Sequence, residues 1–346
     1  MLNTEYNFLF AFLTSLIITY VSIPKIIFFA HKFRLADVPG KRASHEVSVP
    51  IFGGVAIFIG IILSLLFWTD IYNIQFIILS FVIVFFLGII DDLLGLTPYK
   101  KLIGQIFAIL IVIYFGDIQI DSMHGVLGVY ELPDYVATLF TIFVVIVIIN
   151  GFNLIDGVDG LAGGLGIISS CCFGIVALLM NQNDIAIISF SLLGALLAFL
   201  KFNFPPAKIF MGDTGSLLVG MTLSVLSINL IQNGLATETI QLYNKGPLLA
   251  VVFLAIPLFD SLRVFIVRAS KGIGPLSAGR DHIHHALLDL EFGHKKTTLT
   301  LYLLSLVLIS SSYFLLELNI NLAIAILAFV SYVILIIPFY ILRKNK

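Results

Sequence analysis

Eleven runs of mainly apolar residues dominate this 346-residue chain, and they leave room for little besides membrane helices. A spanning helix needs about 20 such residues. The runs lie near 6–29, 51–69, 75–91, 102–116, 136–151, 160–180, 185–200, 215–232, 247–267, 298–316 and 320–342. Only 11% of residues are charged, against about 25% in a soluble domain. The expected fold is all-α: a polytopic integral membrane protein of about 11 transmembrane helices in one domain, 1–346.

Charge orients these helices. If the segments after odd-numbered runs face the cytoplasm, that side holds all but one of the 19 lysines and arginines, the exception being Lys245. Basic residues stay inside because translocating them is disfavoured. The N-terminus is therefore expected outside and the C-terminus in the cytoplasm. The first run follows Glu5 without a basic leader and reads as a retained helix. Work must then fall to cytoplasmic loops at 30–50, 91–101, 151–160, 201–214 and 268–297. The outer segment 117–135 alternates apolar and polar residues around Gly125 and Gly128, as a small hairpin would. Adjacent Cys171 and Cys172 sit in an apolar run and read as small core residues.

Five aspartates interrupt this pattern: Asp91 and Asp92 in GIIDDLLGL (88–96), Asp156 and Asp159 in NGFNLIDGVDGLAGG (150–164), and Asp213 in AKIFMGDTGSL (207–217). All fall at the basic end of their runs. Carboxylates are costly in hydrocarbon and mark polar sites. Two in succession at the negative end of a helix dipole call for a cation. Neighbours on a helix point about 100° apart, so Asp91 and Asp92 should have different jobs. Asn153, Asp156 and Asp159 are spaced three apart and share a face if helical. Asp213 either caps the eighth helix, with Thr214 and Ser216 beside it, or binds metal next to a helix start that favours phosphate. Magnesium suits such a set, since one or two carboxylates plus substrate phosphates usually hold it; Mn2+ is the expected substitute.

Two basic loops complete the candidates. In Arg280-Asp281-His282-Ile283-His284-His285 the spacing puts His282 and His285 on one helical face, with His284 pointing elsewhere. No thiol or carboxylate completes a zinc spacing. Near Arg268 and Arg280, these imidazoles could instead hydrogen-bond a pyrophosphate. Lys41, Arg42 and His45 precede Pro50-Ile51-Phe52-Gly53-Gly54 and read either as topology determinants or as contacts to a lipid phosphate.

DDLLGL, NLIDGVDGLAGG, KIFMGDTGSL and the HIHH segment occur in an order and on a side that resemble the polyprenyl-phosphate N-acetylhexosamine-1-phosphate transferases, glycosyltransferase family 4, over residues 35–297. The resemblance implies magnesium-dependent transfer of a sugar 1-phosphate from a UDP-N-acetylhexosamine to undecaprenyl phosphate, releasing UMP. It also implies frequent dimers, a location in the bacterial cytoplasmic membrane with the site on the inner face, and no nucleic-acid partner. By matching position, Asp91, Asp92 and Asp213 would be catalytic and magnesium aspartates, and Lys101 would lie near the lipid phosphate. Gly157, Val158 and Asp159 would line a uridine pocket, with Phe210 stacking on uracil and Asn153 and Asp156 in support. His282, His284 and His285 would form the family's histidine motif, with Arg280, Arg42 and His45 as further substrate contacts. The interrupted histidine run and Val47-Ser48-Val49 before Pro50 resemble the N-acetylglucosamine branch more than the muramoyl-pentapeptide branch. Relatives accept other N-acetylated sugars, so the sugar stays open at this point. An ion-coupled transporter also uses intramembrane aspartates and broken helices, but its carboxylates should lie near mid-membrane.

Overall fold

The computed structural model describes residues 6–33, 49–236, 241–272, 279 and 281–344. The architecture is helical: α1 (Asn7–Lys32), α2 (Gly53–Trp68), α3 (Ile71–Leu94), α4 (Pro98–Gly116), α5 (Asp134–Ile155), α6 (Leu161–Leu179), α7 (Asn183–Asn203), α8 (Gly212–Asn233), α9 (Gly246–Phe253), α10 (Ala255–Ser270), α11 (Ile283–Asp289), α12 (Gly293–Leu315) and α13 (Ile320–Lys344). A two-residue ribbon pairs Leu235–Ala236 with Gln241–Leu242. The 117–135 segment forms its hairpin in miniature, with Met123 N–H donating to Tyr130 and Leu132 N–H to Asp121.

All eleven apolar runs become helices, but not eleven straight spans. Among the described residues, nine helices are long and apolar enough to cross a membrane. α2 has 16 residues and falls short. The ninth run breaks at Leu254 into α9 and α10, which bend by 82°. Hydropathy averages over such a break and does not register it.

α8 is the axis of the bundle. Its most apolar window is 89% buried, against 17% for α1, and it packs against α2, α3, α5 and α9. Its hydroxyls return to its own backbone, as Thr222 does to Leu218, Ser224 to Gly220 and Ser227 to Leu223. Lipid offers no hydrophobic drive between helices, so packing depends on small residues that let backbones approach. A Cβ on Gly54 of α2 would lie 2.2 Å from Gly215 N, and one on Gly88 of α3 would lie 2.4 Å from Thr214 Cα. These approaches pull the ends of α2 and α3 onto the start of α8.

Helix ends sort into two groups. One end gathers the end of α3, the start of α4, the end of α5 and the starts of α6, α8 and α12 through the contacts given below. The other end joins Asn73 to Asp184 and Gln232 to the Asp117 carbonyl. Lys245, at that second end, is 5% exposed, and its Nζ donates to the Leu318 carbonyl. Gly54→Ala and Gly88→Ala are expected to cost about 1–3 kcal/mol through backbone clashes. Gly116→Ala, whose nearest neighbour would be 3.8 Å away, should leave the thermal midpoint of the purified protein unchanged. Equal midpoints for all three variants would contradict this packing.

Candidate active site

The site forms where α3 and α5 end and α4 and α8 begin. Lys101, in the first turn of α4, puts Nζ 2.9 Å from Asp91 Oδ2 and 2.6 Å from Asp213 Oδ2. One ammonium thus bridges carboxylates from α3 and α8. Asp91 Oδ1 also accepts from Leu96 N–H at 2.6 Å. From α5, Asn153 donates through Nδ2 to Asp213 Oδ1 and, at 2.9 Å, contacts Ser216 Oγ.

Asp92 does something different. Its Oδ1 accepts from Asp213 N–H at 2.8 Å, and its Oδ2 accepts from Thr214 N–H at 2.9 Å and from the Thr214 hydroxyl at 2.6 Å. These are donors that a helix start leaves unpaired. The cap of α8 therefore comes from another helix, and Asp213 sits inside the first turn of α8 rather than capping it. Gly212 makes this reach feasible: at φ +70°, a Cβ there would lie 2.7 Å from Asp92 Oδ2. The strand-like pairing of Phe210 N–H with the Pro50 carbonyl, and of Gly54 N–H with Met211, fixes the approach to that turn.

The α5–α6 turn supplies Asp156 and Asp159. Burial first, and then the negative charges of Asp213, Asp92 and Asp159, hold the Asp156 carboxyl well above the usual carboxylate range. Asp159 is 4% exposed. Its Oδ2 accepts from Ala207 N–H at 3.0 Å, and its Oδ1 lies 3.1 Å from His294 Nδ1. Val158 is buried in the hydrophobic core. A cleft of about 750 Å³ opens beside Asp159, lined by Pro205, Pro206, His294, Lys295 and Leu299 among others, and does not include the Asp91–Asp213 pair.

The histidine segment packs beside this turn. His282 is extended at φ −78° and ψ 153°, and α11 begins one residue later. The expected shared helical face of His282 and His285 is therefore not formed. Instead the His282 and His284 rings stack at 5.6 Å and 6°, and the His285 ring lies 4.3 Å from His284. Burial and the neighbouring His285 push His284 down to about 3, so it is a neutral imidazole. His284 Nε2 would stand 3.3 Å from a Cβ on Gly157. His282 Nδ1 lies 2.8 Å from Asp260 Oδ2, and Ile283 N–H donates to Asp260 Oδ1 at 2.9 Å.

Comparison with known proteins accords with this arrangement. The profile described as Glycosyl transferase family 4 matches residues 74–231, which hold every aspartate of the α3, α5–α6 and α8 ends. A decaprenyl-phosphate N-acetylglucosaminephosphotransferase of Mycolicibacterium smegmatis is 30% identical over 84% of this chain and 78% of its own. A probable undecaprenyl-phosphate N-acetylglucosaminyl 1-phosphate transferase of Bacillus subtilis is 31% identical over 86% and 82%. An undecaprenyl-phosphate α-N-acetylglucosaminyl 1-phosphate transferase of Haemophilus influenzae is 32% identical over 83% and 79%. The chain belongs to glycosyl transferase family 4.

Within this family 4 transferase, the structure joins Asp91, Lys101, Asn153 and Asp213 in one contact set. Asp92 adjoins that set from the backbone side, and Asp156 adjoins it from the α5–α6 turn. Arg42, His45 and Arg280 lie outside the described residues. Among the described residues, no three His, Cys, Asp or Glu side chains converge as a self-sufficient metal cage. Sequence reasoning missed Asp260, Arg263 as its partner, His294 and Asn203. Asn203 takes Gly160 N–H on Oδ1 and donates to the Ile209 carbonyl, both at 2.8 Å. A carboxylate inside the apolar run LFDSLRVF was the signal available for Asp260.

These contacts separate the two adjacent aspartates experimentally. Asp92→Ala should cost about 1–2 kcal/mol as a lost cap and lower the thermal midpoint. Asp91→Asn keeps a neutral acceptor for Leu96 N–H and leaves Lys101 paired with Asp213, so it should lower the midpoint less. Asp156 has its own signature. Because its folded value is raised, its contribution to stability is full below the unfolded value of about 3.9 and fades as pH rises toward the folded one. Melting of metal-free protein across that range should fall less steeply in Asp156→Asn, and parallel curves would refute the assignment.

Proposed function

We propose that this protein transfers N-acetylglucosamine 1-phosphate from UDP-N-acetylglucosamine to undecaprenyl phosphate, with release of UMP, at the cytoplasmic face of a bacterial membrane. The observation that carries the reading is the Asp91–Lys101–Asp213 bridge at the start of α8. The activities named for the relatives support it, and so does the sidedness of the basic residues. The lipid phosphate oxygen forms the new bond to the sugar-bearing phosphorus as the bond to UMP breaks. The site must therefore bring two anions together.

The residues present fit a magnesium ion. Asp91 and Asp213 already share one cation, and two carboxylates plus substrate phosphates are its usual holders. Asp92 is assigned to the α8 cap instead of the metal, because its oxygens already accept three hydrogen bonds. When bound, the ion neutralises phosphate charge and stabilises the leaving group. Asn153 holds the Asp213 carboxylate in one rotamer from the α5 side. Lys101 would supply positive charge to the acceptor phosphate. That phosphate has a second pKa of about 6 and is mostly dianionic near neutrality, so it attacks directly without a protein base. A homodimer remains the expected assembly from the family resemblance.

Membranes carrying the protein, given undecaprenyl phosphate, magnesium and a panel of UDP-sugars, should release UMP and form a lipid-linked sugar with UDP-N-acetylglucosamine. Asp213→Asn should lower both at least about 100-fold. Chelation should do the same, reversed by magnesium or Mn2+. UMP release from no N-acetylated sugar would overturn the reading. A phosphorylated aspartate trapped with UDP-sugar alone would overturn direct attack.

A further inference from the structure

The cleft of about 750 Å³ beside Asp159 has a charged rim that the carboxylate–lysine bridge does not use. Lys295 and Lys296 line it from the first turn of α12, with His294 beside them. That turn holds no acidic residue, and no side chain caps it. Positive charge at the positive end of a helix dipole is unfavourable on its own. Both lysines are exposed, and Lys296 Nζ lies 3.9 Å from the Phe292 ring. Asp159, the acidic residue of the lining, already accepts from Ala207 N–H and faces His294.

Below the rim the wall turns apolar. Leu299 and Leu303 continue it along α12 and are 47% and 63% exposed. α12 is long and apolar enough to cross a membrane. At about 1.5 Å per residue, Leu303 lies about 10 Å further along the helix than Lys296. The cleft therefore joins a cationic rim to a wall that faces hydrocarbon, and basic pockets of this kind hold anionic lipid headgroups. Two observations narrow the occupant. Gly157, Val158 and Phe210, which the resemblance assigns to uridine, lie outside the lining, as does Lys101. A dianionic phosphate monoester would meet the Asp159 carboxylate, whereas a phosphodiester brings a single negative charge.

We propose that this cleft seats an anionic phospholipid, with its phosphodiester against Lys295 and Lys296 and an acyl chain along Leu299 and Leu303. The same helix holds the neighbouring turn, since Thr298 donates to the Asp159 carbonyl at 2.9 Å and Tyr302 donates to the Gly160 carbonyl. A lipid on this face thus braces the α5–α6 turn from the membrane side. The binding does not depend on the transferase reading.

The test titrates purified protein in neutral detergent with a fluorescent short-chain phosphatidylglycerol, and with the phosphatidylcholine of the same chains. Phosphatidylglycerol should bind saturably and raise the thermal midpoint, and phosphatidylcholine should bind about tenfold more weakly or worse. Changing Lys295→Gln and Lys296→Gln together should weaken phosphatidylglycerol about 30-fold, at about fivefold for each charge. Arg343→Gln with Lys344→Gln removes equal charge from the exposed end of α13 and should leave affinity within about twofold. Leu303→Trp, which narrows the cleft without altering charge, should weaken binding as well. Equal affinity for the two lipids, equal losses in the two basic pairs, or no saturable binding would overturn the proposal. Displacement of the probe by UDP or undecaprenyl phosphate at lower concentration than by unlabelled phosphatidylglycerol would assign the cleft to a substrate and overturn it too.

Discussion

The bridge of one ammonium between Asp91 and Asp213 is the contact on which the rest of this end of the molecule depends. Two carboxylates from different helices meet at a membrane edge, and Lys101 supplies one positive charge to both. At an effective dielectric of about 20, charges 4 Å apart attract by about 4 kcal/mol before desolvation. One lysine therefore offsets much of the repulsion between two acids but leaves the trio a negative charge in excess. The packing of α3, α4 and α8 thus concentrates net negative charge at one point.

Packing and electrostatics converge on the start of α8. The glycines at 54 and 88 let α2 and α3 touch its first turn. Asp92 then takes the backbone donors of that turn, where the dipole of α8 favours negative charge. The same dipole end favours Asp213 and an incoming phosphate. Neighbouring aspartates on α3 thus divide their work, one toward the helix start and one toward the lysine.

Much of this was legible in the sequence because its signals are local. Apolar run length gives the helices, and the aspartates at their ends mark where α3, α5 and α8 meet. The different duties of Asp91 and Asp92 followed from the 100° step of a helix. What escaped is tertiary. Asp260, an acid inside an apolar run, and Arg263 acquire partners only where α10 meets the 281–283 segment. The extended backbone at His282 replaced a helical face with a stacked pair of rings, and no spacing rule anticipates that. The break at Leu254 was hidden because both of its limbs are apolar. Asn203, joining Gly160 to Ile209, is an ordinary polar residue at a helix end until its partners are known.

The cap that α3 places on α8 ties two helices into one mechanical piece. Sliding either along its axis would strip three hydrogen bonds from Asp92 at once, so the spacing of Asp91 and Asp213 is set by the scaffold and not by what lands between them. The acidic end of this bundle is an anvil: its two fixed carboxylates keep their distance on either side of the Lys101 ammonium.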